Sequence, residues 1–351
     1  LPVALYFIYK ERVKMYHTHF RGTHYGAGYR WGSLLFKHQN IILENIPFKI
    51  TRERMDYAMT CLPVYEKYYP EILAEIQGIA DGQQCDVRIL QAVLFSMYAI
   101  PPVCNCSCFA FTTEHEIIFG RNSDFLTEIE KLNMNVIYRL TDGAFAFTGN
   151  TTAFVEMEDG INEYGLAIGL TSVYPRQRRS GFNVGLLLRY LLEKCKNVSE
   201  ALSCLHQLPI ASAQTLTLAD ASGTITLVEC HSERIEITAS LDHNRSFVCS
   251  TNMFHLSGMA EDNCSKIDDW FAQTRFQTLV SALQKHEDFD PAFAKKLLSG
   301  EYGFICQYDR NTGKDTVWSV IYDLKQHKIY RCEGNPGRRS FKEDARFHFK
   351  S

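Results

Sequence analysis

Three cysteines alternate with polar residues between positions 104 and 108, which read Cys104, Asn105, Cys106, Ser107 and Cys108. Successive side chains of a β-strand point to opposite faces, so the three thiols would share one face. Such a stretch can be a small-residue strand packed beneath a helix, a metal site, or a strand that carries a nucleophile. Zinc usually takes its ligands as two Cys or His pairs. No complementary pair at that spacing follows, so the sequence disfavours the metal site.

A polar segment further along the chain favours the nucleophile. Residues 120–124 (GRNSD) follow an apolar stretch, and we interpret them as a turn that brings a cation, an amide and a carboxylate together. An arginine stabilises a nearby thiolate by its charge, and a carboxylate can hold an ammonium group. The alternative interpretation is a structural ion pair between Arg121 and Asp124.

With these motifs the sequence resembles the linear-amide N-terminal-nucleophile hydrolases. Residues 106–110 (CSCFA), followed by the GRNSD segment, are similar to the nucleophile strand of that group. It includes the acyl-coenzyme A:6-aminopenicillanic acid acyltransferases, the choloylglycine hydrolases with penicillin V acylase, and the acid-ceramidase-like amidases. The acyltransferase branch is the most similar. Further similar segments cover nearly the whole chain: residues 21–32 (RGTHYGAGYRWG), 75–82 (EIQGIADG), 160–167 (GINEYGLA), 219–223 (ADASG), 250–252 (STN), 274–276 (TRF), 316–319 (TVWS) and 334–336 (GNP).

This resemblance implies an α+β fold, a four-layer αββα sandwich with mostly antiparallel sheets and a helical N-terminal segment. It divides the chain into residues 1–105, a candidate propeptide or small subunit, and residues 106–351, the hydrolase core. It also implies that the Asn105–Cys106 bond is cleaved by the chain itself. The α-amino group freed on Cys106, which titrates near pH ~7.7–8, would then accept the thiol proton. Cys106 would form a thioester that water or an amine resolves.

The same resemblance assigns further site residues by position. Asp124 matches a carboxylate that orients the amine of the nucleophile, and Arg121 matches an arginine near the thiol. Asn252 matches an amide donor of the oxyanion hole, and Arg275 matches a second, supporting arginine. The other oxyanion donor would be a backbone N–H. The positions implied for that donor and for the neighbourhood of the substrate are Thr171, Ser172 and Asn162.

Asn105 departs from the family pattern, because the acyltransferase branch typically has glycine before the nucleophile. Self-cleavage needs a permissive backbone, and asparagine adopts unusual φ values less readily than glycine. Cys104 is a rival nucleophile whose spacing to Asp124 fits the family less well. Two alternatives stay open: an uncleaved chain, and a non-enzymatic homologue that binds an acyl ligand.

Hydrophobic periodicity and turn residues predict the elements that would position these side chains. A compositional change near Pro101–Pro102 separates a helical part from a part that alternates strands and helices. Asn197 and Glu200 are spaced as a capping box. The predicted helices are residues 52–68, 70–80, 87–98, 184–196, the segment after Asn197, 268–285 and 291–298. The predicted strands are residues 106–112, 116–120, 135–140, 144–148, 166–173, 215–219, 224–230, 247–251, 316–323 and 328–333.

Composition narrows the classes of function. Hydrophobic residues make up 46% and charged residues 22% of the 351 residues, enough for a sizeable core. The net charge of −3 does not provide the excess of positive charge that is typical of nucleic-acid-binding proteins. No apolar run reaches the ~18–20 residues that a membrane helix needs. Most of the 12 cysteines sit in apolar segments, which is typical of the cytoplasm. We expect a small-molecule acyl amide or acyl donor as ligand, without cofactor, metal, nucleic acid or membrane; a homo-oligomer stays open.

Overall fold

The computed structural model of the chain describes residues 15–100, 105–265, 267–286 and 289–350. Its α-helices are α1 (His24–Lys37), α2 (Arg52–Tyr68), α3 (Pro70–Gln83), α4 (Val87–Ser96), α5 (Val184–Lys194), α6 (Val198–Leu205), α7 (Ala272–Lys285) and α8 (Pro291–Ser299). Its strands are β1 (Tyr16–Gly22), β2 (Asn105–Thr112), β3 (Ile117–Leu126), β4 (Met134–Leu140), β5 (Phe147–Thr151), β6 (Asp159–Asn162), β7 (Ala167–Val173), β8 (Ala213–Ala219), β9 (Ile225–His231), β10 (Arg234–Thr238), β11 (Phe247–Ser250), β12 (Lys314–Asp323), β13 (Lys328–Glu333) and β14 (Lys342–Glu343).

The strands form two sheets. The larger has the order β1-β4-β5-β6-β7-β8-β9-β10, and the smaller has the order β11-β2-β3-β12-β13-β14. Every neighbouring pair is antiparallel except β1 and β4, which run parallel. β2 and β3 therefore lie inside the smaller sheet, with partners on both sides.

The three largest apolar clusters of the described residues hold the layers together. Side chains of β2, β3 and β12 pack against the larger sheet to fill the space between the sheets. Helices α1 to α6 cover the outer face of the larger sheet, and α7 and α8 cover the outer face of the smaller one. The order is helix, sheet, sheet, helix, so the predicted four-layer αββα sandwich is confirmed.

Most predicted elements are present near their expected positions. At the start of α6 the first half of the expected capping box is present, because the Asn197 side chain accepts from the Glu200 N–H at 2.9 Å. The Glu200 carboxylate accepts from the Lys196 N–H at 2.8 Å, one residue before the N-cap of the expected motif. The predictions for Cys104 and for the Pro101–Pro102 boundary lie outside the described residues. Among those residues, no helix is long and apolar enough to cross a bilayer.

The turn predicted for residues 120–124 is wrong, because β3 continues through these residues to Leu126. Polar residues usually mark a turn, but here β3 is paired along this stretch with both β2 and β12. Its polar side chains alternate between the two faces of the sheet and find buried partners on each. Arg121 and Asp124 consequently point to opposite faces of the strand.

The N-terminal segment is built into the same layers as the rest of the chain. β1 is an edge strand of the larger sheet, and α3 is tied to α5 through a buried ion pair between Glu75 and Arg189. Arg189 also bonds Glu193 at 2.9 Å, and Glu193 contacts His24 of α1 at 3.1 Å. Burial raises the pKa of Glu193, but Arg189 and His24 outweigh it and lower that pKa to about 2.

A stripe of glycines lets α1 and α3 approach each other closely. A Cβ on Gly28 would lie 2.2 Å from the Glu75 carbonyl oxygen, and one on Gly32 would lie 2.6 Å from that of Ile79. From the other helix, a Cβ on Gly78 would lie 2.2 Å from the carbonyl oxygen of Tyr25. These are backbone contacts, which cannot move aside without separating the helices. The RGTHYGAGYRWG and EIQGIADG segments thus serve helix packing.

We predict that Gly28→Ala lowers the free energy of unfolding by about 2–3 kcal/mol, because the new methyl group forces α1 away from α3. Gly26→Ala is the matched control on the same helix, since its Cβ would lie 3.1 Å from the Thr23 hydroxyl and 3.4 Å from the end of Arg30. It should change stability by less than about 1 kcal/mol. Urea denaturation measures both variants, and equal stabilities would contradict the close packing.

Candidate active site around Cys106

Strand pairing arranges the predicted site residues on the two faces of β2 and β3. Cys106 lies opposite Ser123, and Asn105 lies opposite Asp124. Directly opposed residues share a face, so Cys106 points towards the larger sheet. Asn105 and Asp124 point towards α7. The peptide bond between Asn105 and Cys106 therefore lies between two different sets of polar side chains.

Each polar atom of Cys106 has a specific partner. The thiol Sγ lies 2.7 Å from Nη2 of Arg121. The backbone N–H donates to Oδ1 of Asn252 at 2.8 Å, and the backbone carbonyl accepts from Nη1 of Arg275. Cys106 is fully buried. The structure thus brings together four of the five predicted catalytic residues in direct contact.

Arg121 is completely buried and is shared between the thiol and two carboxylates. Its Nη1 donates to Asp159 at 3.1 Å, and its Nη2 lies 3.3 Å from Glu158. Burial raises the pKa of Glu158, while Arg121 opposes that shift. The sequence interpretation missed both carboxylates. They directly precede the GINEYGLA segment, and a buried arginine requires such partners.

Asp124, the fifth predicted catalytic residue, lies on the opposite face. Its Oδ1 accepts from the Thr316 hydroxyl at 2.6 Å, and its Oδ2 accepts from the Tyr308 hydroxyl at 3.0 Å. Arg275 Nη1 is 3.7 Å away. Burial raises the pKa of Asp124 to about 6, although Arg275, Thr316 and Tyr308 act in the opposite direction. Asp124 does not touch the thiol, and it lies across from the residue that precedes Cys106.

Asn252 links the nucleophile strand to β7. Its Oδ1 also accepts from Arg275 Nη2 at 2.9 Å, and its Nδ2 donates to the Ser172 carbonyl at 2.9 Å. The Thr171 hydroxyl donates to the Thr251 carbonyl, so both β7 positions support the loop that carries Asn252.

The structure does not bring Asn162 to this cluster. Its Nδ2 donates to the carbonyls of Leu192 and Cys195 at 3.0 and 2.7 Å. Its Oδ1 accepts from the N–H groups of Tyr164 and Leu166, at 3.1 Å each. These four hydrogen bonds hold the β6–β7 turn against the end of α5, so the Asn162 side chain stabilises the fold.

A strained segment before α7 presents Arg275. Trp270 and Phe271 have φ values of 52° and 63°, in the left-handed region that costs non-glycine residues roughly 1–2 kcal/mol each. The carbonyls of Asp269 and Trp270 accept from Arg275 at 2.9 and 3.0 Å. Arg275 is buried, so this segment and Cys106 share one guanidinium group.

The lining of a cavity of about 540 Å³ includes Asn105, Asp124 and Trp270, but not Cys106. Most of the lining side chains are apolar. Apolar side chains of the lining come from the N-terminal segment (Trp31, Leu34, Leu35, Ile42, Phe48, Val93 and Met97) and from the remainder of the chain (Phe125, Leu126, Ile129, Leu132, Met134, Ala153 and Phe154). The arrangement combines a buried thiol, two buried guanidinium groups and an apolar pocket.

Comparison with known protein families shows to which family the chain belongs. The sequence profile of the acyl-coenzyme A:6-aminopenicillanic acid acyl-transferase family matches residues 111–338. The chain belongs to this acyl-transferase family. The matched span includes Arg121, Asp124, Asn252 and Arg275 and begins after Cys106. The match therefore covers the residues around the thiol but not Cys106 itself.

Several solved structures are more distantly similar to this acyl-transferase family member. The Caenorhabditis elegans ortholog of N-acylethanolamine-hydrolyzing acid amidase is 18% identical with a TM-score of 0.47, covering 63% of this chain and 93% of its own. Penicillin V acylase from Agrobacterium tumefaciens is 15% identical with a TM-score of 0.39, covering 65% and 83%. A single-residue variant of conjugated bile acid hydrolase from Clostridium perfringens is 14% identical with a TM-score of 0.45, covering 70% and 98%. Curated protein sequences showed no match.

The described part of the chain contains no group of three or more His, Cys, Asp or Glu side chains able to hold a metal ion. Cys106 and Cys108 share a face of β2 as expected, but their surroundings differ. The Cys108 thiol lies 3.8 Å from the Leu170 carbonyl, and burial raises its pKa although Arg121 acts in the opposite direction. The Cys106 thiol lies 2.7 Å from the same guanidinium group, so Cys106 is the better placed of the two to react as a thiolate.

We predict that Phe271→Gly is more stable than Phe271→Ala by about 1 kcal/mol, because glycine adopts a φ of 63° without strain. Phe271 is 63% exposed, and both variants remove the same ring with its contact to Phe304. The difference between the free energies of unfolding of the two variants therefore reports the backbone strain at residue 271 alone. Urea denaturation measures it, and equal midpoints would argue against strain at this position.

Proposed function

We propose that this chain is an amide hydrolase or acyltransferase that works through a thioester on Cys106 and activates itself by cleaving the Asn105–Cys106 bond. The observation that carries the proposal is the 2.7 Å contact between Arg121 Nη2 and the fully buried Cys106 thiol. A guanidinium group at that distance stabilises negative charge on sulfur, which is the form that attacks a carbonyl.

The surroundings of Asn105 support self-cleavage. Asp124 lies across from Asn105 in the strand pairing, so it would face the α-amino group left on Cys106 once that bond is broken. A carboxylate with a pKa of about 6 is ionised at neutral pH and can orient an ammonium or amine group. The neutral amine then serves as the base for the thiol, replacing a histidine.

Catalysis would follow the chemistry of acyl transfer. The thiolate attacks the carbonyl carbon of the substrate amide, and the nitrogen leaves with a proton from the α-ammonium group. Asn252 is positioned beside Cys106 and would donate from Nδ2 to the developing oxyanion. Such a donor contributes about 3–4 kcal/mol to the transition state. Water or a second amine then resolves the thioester.

The cavity supports an apolar acyl group as the part of the substrate that is recognised. Its lining is mostly apolar and includes Asn105, the residue directly before Cys106, so an acyl chain is the part of a substrate that would fill the cavity. We also propose a reducing compartment, namely the cytoplasm, because most of the described cysteines are buried and carry free thiols.

We predict that the wild-type chain, analysed by denaturing mass spectrometry, gives two fragments that meet between Asn105 and Cys106. Cys106→Ala should stay intact because it lacks the attacking sulfur. Cys108→Ala is the matched control on the same face of β2, and it should still be cleaved. A wild-type chain that remains a single species would contradict self-cleavage.

For the mature enzyme we predict that kcat/KM rises with the length of the acyl chain in a series of N-acyl amides of one amine. Ala153→Phe fills part of the cavity and should lower kcat/KM for long-chain amides by about 10-fold, with less than about 3-fold change for the acetyl amide. A kcat/KM that does not depend on chain length would contradict the assignment of the cavity as the acyl-binding site.

The alternative function is a homologue that only binds an acyl ligand. A Cys106 that does not react with iodoacetamide or with a β-lactone would favour it.

A further inference from the structure

The side chain of Asn105 is held in a defined position, although glycine would leave this position without any side chain. Asn105 is 4% exposed. Its amide oxygen accepts from the Trp270 indole N–H at 3.3 Å, and its amide nitrogen donates to the Asp269 carbonyl at 3.3 Å. The orientation of the amide follows from these two partners. The strained segment before α7 thus binds the side chain of Asn105, whose carbonyl belongs to the bond that we propose is cleaved.

The same segment is connected to the other side of that bond. Arg275 donates to the carbonyls of Asp269 and Trp270, and it also donates to the Cys106 carbonyl. Cys106 is further held through its N–H by Asn252. The Asn105–Cys106 peptide is therefore restrained on both sides, by the Asn105 amide and by the Cys106 backbone.

We propose that Asn105 and Trp270 are positioning residues for cleavage of the Asn105–Cys106 bond. The inference rests on the proposed function, because it concerns the maturation step of the same site. Fixing the Asn105 side chain restricts the backbone torsions next to it, and these set the plane of the Asn105 carbonyl. Reactions between neighbouring groups depend steeply on such alignment. The pair would compensate for the backbone freedom that glycine offers at this position.

The chemical step uses only groups already present. The Cys106 thiolate attacks the carbonyl carbon of Asn105, a C–S bond forms, and the C–N bond breaks. The nitrogen takes up the proton that the thiol has lost and becomes the α-amino group of Cys106. Water then cleaves the thioester, which leaves a carboxylate on Asn105 and regenerates the thiol. Asn105 and Trp270 exchange no proton with the reacting atoms.

The test follows cleavage in time after cell-free synthesis of the full chain. Asn105→Ala and Trp270→Phe should each slow cleavage by about 3- to 10-fold, the effect of losing one modest hydrogen bond. The double variant should be no slower than the slower single variant, because both remove the same contact. Tyr69→Phe is the control: it removes one buried hydrogen bond, from the Tyr69 hydroxyl to Glu193 at 2.7 Å, away from Cys106, and its rate should stay within about 2-fold.

Melting temperatures of the same substitutions in the Cys106→Ala background show whether the uncleaved chain still folds. If Trp270→Phe fails to fold, Asn105→Ala carries the test, since alanine fits a strand without strain. Unchanged cleavage in the folded single variants, or independent effects that multiply in the double variant, would overturn the positioning role while the proposed function stands. A wild-type chain that is never cleaved would overturn both.

Discussion

Two buried arginines, one on each face of the smaller sheet, hold the strand that carries Cys106. Arg121 reaches the thiol from the face towards the larger sheet, and Arg275 reaches the backbone carbonyl of the same residue from the α7 side. Both are fully buried. A buried cation is tolerated only when it is paired and its hydrogen bonds are satisfied, so the surrounding structure has to provide partners for both.

Those partners explain much of the polar interior. Glu158 and Asp159 receive Arg121 from the larger sheet, which couples the two sheets at the position of the thiol. On the other face, Asp124 and the carbonyls of a strained segment receive Arg275. A positive charge next to Cys106 suits a thiolate, and the same charge would be costly without the carboxylates. The reactivity proposed for Cys106 and the stability of the core around it thus depend on the same contacts.

The N-terminal segment both packs against the rest of the fold and contributes to the cavity near the site. It shares the larger sheet and a buried ion pair with the remainder of the chain, so breaking one peptide bond at Asn105 would leave those contacts intact. It also supplies part of the lining of the cavity that reaches Asn105. If the bond is cleaved, two polypeptides line that cavity together.

The sequence by itself determined most helices and strands, because hydrophobic periodicity is a local property, and its resemblance to a family implied the αββα sandwich and the candidates around Cys106. The sequence-based predictions failed where polar residues, which usually indicate exposed turns, are buried. Polar residues 120–124 suggested a turn, yet pairing on both sides makes them the middle of a strand. Glu158 and Asp159 gained their importance only from an arginine on another strand, and Asn162, which the resemblance placed near the substrate, lies in the β6–β7 turn against the end of α5. Only the tertiary structure decided which charges meet, because pairing across sheets depends on register and facing.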